Sequence, residues 1–264
     1  MNKRLITRKS IMKIILTVIA ACFIFATCTA ADEKSGGITF ESGGFDTPED
    51  AVLAYLDYFR QGDVTGMIST FAIETQVKNT DKKACLQRLK YVTFEYTDGF
   101  GYAGTYSYNM AVWSRASSLI RIIDRQLIYY TALLSGYPEM EIGSITLIED
   151  EEIDKFSDYT SLSLLTIESL LPDMQFLCWE PMGTYKSSYE RIMNNYSEIV
   201  KTNYGADDVC DLAARIQLGD MAAVQYMQCI KYDGKWYNYT PMGTLANIAG
   251  LNTCFGGLVI EIGG

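Results

Sequence analysis

The sequence predicts an α+β fold: N-terminal helices packed on a curved antiparallel sheet that ends in a three-stranded meander, with a helical segment inserted between them. Three observations carry this expectation. Thr47-Pro48-Glu49-Asp50 opens an apolar repeat at helical spacing. Residues 108–135 contain no Pro or Gly. Near the end, three β-rich runs are separated by the two-residue turn signals Gly219-Asp220 and Asp233-Gly234. A chain of 264 residues with 48% hydrophobic content also has the apolar material for a real core, which intrinsically disordered chains lack.

The start of the chain reads as an address. Residues 1–13 carry Lys3, Arg4, Arg8, Lys9 and Lys13 with no acid, residues 14–26 are apolar apart from Thr17, and the small residues Thr27-Cys28-Thr29-Ala30-Ala31 follow. A basic start, an apolar middle and a small-residue exit make a secretory signal peptide over 1–31, cut near Ala30 or Ala31. The uncharged stretch 14–31 is 18 residues, the lower limit for a bilayer span, so a retained anchor is the second reading. Ile19-Ala20-Ala21-Cys22 resembles the lipobox of bacterial lipoproteins, and Phe25-Ala26-Thr27-Cys28 has the better polar tail behind it. Cys22 and Cys28 are thus the candidate lipidation sites. The expected location is extracytoplasmic, secreted or lipid-anchored at the cell surface, with membrane contact only through the leader or a lipid.

Charge and composition narrow the chemistry. Without residues 1–30 the chain loses five of its 22 basic residues and keeps all 32 acidic ones, for a net charge of −15. Such a surface repels phosphate backbones, so nucleic acid is not an expected partner. There is no histidine, which removes Ser-His-Asp and Cys-His nucleophiles, His general bases and His-ligated zinc. Five cysteines remain beyond the leader, an odd number with no C-x-x-C pair, so disulfides are not the organising framework. No metal and no cofactor is expected.

The elements follow in order. Residues 32–46 are small and polar and read as a flexible linker. Thr47 caps a helix with Pro48 in its first turn and Val52, Tyr55, Leu56 and Phe59 on one face; Gly62 ends it and Asp63 caps a second helix through Met67, Ile68 and Phe71. A third helix is expected over 81–90 and a strand over 91–97. A long helix over 108–135 closes at Gly136 and Pro138, and a strand over 142–149 leads into the acidic run 149–154. Residues 160–182 are ambiguous; 187–202 read as a helix ending at Gly205. One domain is expected over 47–250, with the helical insertion at about 105–205 and a C-terminal tail at 251–264.

The meander sets a register. With two-residue turns, Cys210 faces Cys229, and the two hairpins sort the side chains onto two faces. Leu212, Ala214, Ile216, Leu218, Met227, Cys210, Cys229 and Trp236 form the more apolar face, assigned to the core. Asp211, Arg215, Gln217, Gln228, Tyr237 and Tyr239 share the mixed face with Val224, Tyr226 and Ile230. Cys210 and Cys229 are a candidate disulfide, and two buried thiols that simply pack is the equal alternative.

Residues 47–56, with Gly62-Asp63-Val64 and Met67-Ile68-Ser69-Thr70-Phe71, resemble the first two helices of the cone-shaped cystatin-like domains of the nuclear transport factor and ketosteroid isomerase superfamily. Lys231-Tyr232-Asp233-Gly234-Lys235-Trp236-Tyr237 looks like the last strands of their sheet. The acidic, tyrosine-rich style also resembles uncharacterised exported proteins of Gram-positive gut bacteria. The resemblance covers about 47–100 and 206–245, and it implies a pocket inside the cone used for binding, dimerisation or, in some members, catalysis.

The acidic run 149–154 lacks the alternating ligands and central Gly of a calcium loop and reads as a solvated charge run. Tyr226, Tyr237 and Tyr239 on the mixed face are the candidate ligand-binding residues, since a ring offers contact area with a polar tip. No catalytic residue is singled out. The expected function is therefore an exported, non-enzymatic domain binding a small ligand or a cell-surface protein. An acid–base enzyme using Asp/Glu and Tyr, an isomerase or a glycan-acting hydrolase, is the alternative; its mark is a buried carboxylate with a raised pKa in a closed cavity beside a tyrosine. A sheet face covered by the inserted helices, with no pocket, would instead favour a purely structural or interaction role.

Overall fold

The computed structural model describes residues 39–89, 105–134, 174–181, 183–250 and 256–261. Helix α1 (Pro48–Arg60) starts as its sequence dictates: the Thr47 hydroxyl accepts from the Asp50 amide at 3.1 Å, Pro48 needs no amide partner, and Glu49 and Asp50 oppose the positive helix end. Its buried face is Ala51, Val52, Tyr55, Leu56 and Phe59. Gly62 leaves it at φ +67°, and Asp63 caps α2 (Val64–Ser69) by accepting from the Gly66 amide at 2.9 Å.

Helix α3 (Glu74–Asn79) has no side-chain cap from its own preceding residue, Ile73. Glu41 supplies it from a distance: one carboxylate oxygen accepts from the Ile73 and Thr75 amides at 2.8 and 2.9 Å. Residues 40–46 are consequently not the expected flexible linker. Ser42 bonds to Ser69, Phe45 makes a two-way β-bridge with Trp236, and the compact unit spans Phe40–Gly264. Helix α4 covers Lys82–Leu89, and the long helix is α5, Thr105–Leu134, with Val112, Ala116, Leu119, Ile123 and Leu127 as its buried stripe. The expected strands at 91–97 and 142–149 and the acidic run 149–154 lie outside the described residues.

Strand β1 (Met174–Trp179) falls inside the segment expected to be a helical insertion. A short 3-10 turn (Gly183–Tyr185) leads into α6 (Lys186–Tyr204), which ends as predicted on Gly205 in the left-handed region at φ +60°. The meander is β2 (Asp208–Leu218), β3 (Met221–Tyr232) and β4 (Lys235–Pro241). Gly219, Asp233 and Gly234 take the positive φ values that tight hairpins require. Among the described residues one antiparallel sheet runs β1-β2-β3-β4, and β5 (Leu258–Glu261) pairs with the first half of β3. Residues 251–264 are thus not simply a tail. Short helix α7 (Gly243–Ile248) links β4 to β5.

The predicted register of the first hairpin is observed throughout, from Asp208 opposite Lys231 to Leu218 opposite Met221, with Cys210 opposite Cys229. The second hairpin follows its predicted register from Tyr232–Lys235 to Cys229–Asn238 and then slips by one, because Gln228 pairs with Thr240 and leaves Tyr239 as an extra residue. Cys210 and Cys229 are both free thiols, the alternative held equal to the bridge. The Cys229 sulfur contacts the Asn238 side-chain oxygen at 3.6 Å, and burial, followed by its hydrogen bond with the facing Cys210 thiol, pushes its thiol pKa up. Peptide-mapped alkylation of the native protein should modify exposed Cys178 readily and spare Cys85 and Cys229 until unfolding; early loss of the Cys229 thiol contradicts this packing.

The sheet has a core on each side. The apolar face, carrying Ala214, Ile216, Leu218, Met227, Cys229 and Trp236, packs under α1, α2 and α5 as expected. The mixed face is not open. Tyr189, Met193 and Val200 of α6 and Leu245 of α7 pack against Val209, Ala213, Val224, Ile230, Tyr232, Tyr237 and Tyr239. The physical reason lies in α6 itself: Tyr189, Met193, Tyr196, Val200 and Tyr204 recur at helical spacing, and such a stripe must be buried on something. Among the described residues, no helix is long and apolar enough to cross a membrane.

Candidate functional site

Two polar constellations lie in the layer between α6 and the mixed face. The first centres on Asp211 of β2, only 6% exposed. Its two carboxylate oxygens accept from the Thr244 and Leu245 amides at 3.3 and 3.1 Å, so it caps α7 from another strand. The Asp211 amide donates to the Tyr189 hydroxyl at 2.8 Å. Burial pushes the Asp211 carboxyl up to about 7, against the pull of the Leu245 amide, the Gln228 side chain and the Thr244 amide. A buried carboxylate beside a tyrosine is thus present, yet its oxygens already serve the fold.

The second constellation is a tyrosine corner around Arg115 of α5. The guanidinium stands 5.1 Å from the centre of the Tyr239 ring, and one terminal nitrogen donates to the Tyr239 backbone oxygen. Tyr239 in turn tilts against Tyr204 of α6 at 6.0 Å, and its hydroxyl shares hydrogen bonds with those of Tyr204 and Tyr196. Tyr196 also donates to the Gln228 side-chain oxygen at 3.2 Å, which joins the corner to the Asp211 group through Gln228. Tyr232 and Tyr237 meet edge to face at 6.4 Å beside it.

Two groups in the corner lack partners. The Arg115 Nε and the Tyr232 hydroxyl are shut off from solvent without a hydrogen bond, and no carboxylate pairs with Arg115 among the described residues. Burial lowers the Arg115 pKa while the surrounding tyrosines oppose that, and burial raises the hydroxyl pKa values of Tyr204, Tyr232 and Tyr239. At neutral pH the corner therefore presents a cation and a protonated hydroxyl, both donors. No acid–base pair is assembled there.

The expected ligand-binding tyrosines divide between places. Tyr239 belongs to the corner and Tyr237 stands beside it against Tyr232, with its side chain bonded to Thr75; they are 9% and 7% exposed. Tyr226 lies further along β3, opposite Ala213, where its backbone accepts from Met242 and donates to Gly257. Cys22 and Cys28 lie outside the described residues. Sequence reasoning missed Arg115, because an arginine in a long helix reads as a solvated charge. The one available signal was its position: Arg115 stands beside Ala116, within the Val112–Leu119 stripe of buried residues.

Among the described residues, no cluster of three or more acidic or cysteine side chains is placed to hold a metal. No protein-family model matches the chain, and no curated protein matches it. It is similar to a solved cystatin-like protein from Ruminococcus gnavus ATCC 29149, at 13% sequence identity and a TM-score of 0.41. The match takes in 81% of this chain and 44% of that one, so the chain spans less than half that protein's length.

Proposed function

We propose that the chain is an exported, non-enzymatic binding domain for a small ligand, with its recognition groups at the Arg115–tyrosine corner. The observation that supports this most is the unpaired pair of donors. A donor shut away from water without an acceptor is costly, and a ligand would supply the missing partner for both. The acid–base alternative rests on Asp211 and Tyr189. It is weakened because both Asp211 oxygens hold α7 and the Tyr189 hydroxyl is bonded to Asp211 itself, accepting from its amide and pairing with its side chain. As part of the same reading we assign the domain to the cystatin-like nuclear transport factor and ketosteroid isomerase superfamily and to an extracytoplasmic location. The capped helix pair α1 and α2 packed on a meander supports the first, and the basic and apolar leader supports the second.

The test is native mass spectrometry of the full chain recovered from an exporting host after exposure to the small molecules of its medium. One retained species, lost in Tyr239→Ala, is the expected result. Conversion of that species to a product overturns the non-enzymatic reading, and retention of nothing overturns binding. The same spectra report the N-terminus: a start near Ala31, or a lipidated Cys22 or Cys28, is expected, whereas an intact cytosolic chain ends the export reading.

A further inference from the structure

We propose that the Arg115 corner is a carboxylate-binding site, in which one organic monocarboxylate accepts from the Arg115 Nε and from the Tyr232 hydroxyl beside the rings of Tyr204 and Tyr239. This rests on the binding reading above and gives it a ligand class. Both donors are solvent-shielded and unpartnered, and the Tyr232 side chain is 3% exposed. The guanidinium is already fixed by its bond to the Tyr239 backbone and by the ring beneath it, so it loses little freedom on binding.

The number and kind of donors select the ligand. One guanidinium N–H and one hydroxyl match the two oxygens of a planar carboxylate, and the flanking rings suit an apolar or aromatic body. A phosphate brings more oxygens than the corner has free donors, and more negative charge. The chain's net charge of −10 already disfavours polyanions. The carboxylate facing Tyr232 and Tyr237 from the other side is Glu41, and its oxygens are engaged by the Ile73 and Thr75 amides and the Thr75 hydroxyl. It therefore leaves the Arg115 donor unfilled.

The experiment titrates the full chain with sodium benzoate, sodium acetate, sodium phosphate and sodium chloride at constant ionic strength. The Arg115 Nε–H resonance and the melting temperature are followed. Benzoate should give a saturable shift of that resonance and a rise in Tm, acetate a weaker one, and chloride and phosphate none. Arg115→Met should abolish the response. Because Arg115 also holds the Tyr239 backbone, Tyr232→Phe is the decisive variant. It removes only an unpartnered hydroxyl, so the unliganded Tm should stay level or rise while benzoate affinity falls by roughly tenfold or more. No saturable response to either carboxylate overturns the proposal, as does an equal response to phosphate or unchanged benzoate affinity in Tyr232→Phe. Retention of a non-carboxylate species in the native spectra sinks this inference alone and leaves the binding reading standing.

Discussion

Gly243→Ala is expected to destabilise the protein by roughly 3 kcal/mol or more and to release α7 from the sheet. Gly243 sits at φ +56°, and a methyl there would meet the Asp211 Oδ1 at 2.1 Å and the Gln228 Cβ at 3.0 Å. Left-handed backbone costs an alanine about 1–2 kcal/mol. The greater effect comes from Asp211, which cannot yield without losing the Thr244 and Leu245 amides and leaving its oxygens buried without partners. Gly234→Ala is the control: its φ is +79° but open space surrounds it, so only the backbone term of about 1–2 kcal/mol applies. Urea midpoints measure the difference, and hydrogen exchange at the Thr244 and Leu245 amides locates it. A Gly243→Ala loss no larger than that of Gly234→Ala would falsify the contact argument.

The second large effect is a pH dependence. Asp211 titrates near 7 when folded and near its ordinary 3.8 when unfolded. Between those values the folded protein keeps a proton that the unfolded chain gives up. The stabilisation is therefore complete below about 3.8 and is lost as the pH rises through about 7. At about 1.4 kcal/mol per pH unit, the span corresponds to roughly 4 kcal/mol as an upper bound. Asp211→Asn cannot titrate, and every other carboxylate is common to both proteins. Moving from pH 5 to pH 8 should thus weaken the parent relative to Asp211→Asn by about 2–3 kcal/mol. Parallel pH profiles would show that Asp211 is ionised throughout. The tyrosine facing it, Tyr189, stays protonated across this window because burial raises its pKa, so it does not contribute to the slope.

What the sequence made legible is local. The Thr47 and Asp63 caps, the Gly205 terminus and the two hairpin turns are each specified by residues within a few positions of where they act. The register of β2 with β3 followed from turn length alone. What stayed hidden depends on distant partners. Helix α3 is capped by Glu41 and α7 by Asp211, 33 residues before Thr244, and neither helix carries its own cap. Strand β5 exists because β3 offers it Ala222 to Gln225. The extra residue at Tyr239 could not be read from spacing, and it breaks the pairing beside the corner that Tyr239 helps build. The candidate site was half legible for the same reason: Tyr237 and Tyr239 stood out on a strand face, while Arg115 arrives from another layer.

The outer side of β4 has a final consequence. Trp236 exchanges bonds with Phe45, Asn238 with Thr70 and Ala72, and the Tyr239 carbonyl is taken by Arg115. These parts of the same molecule occupy the groups on which a neighbouring chain would template itself. Crowded copies cannot zip together along that margin without first peeling away Phe45, Thr70 and Ala72, so the margin is sealed against fibre-like growth.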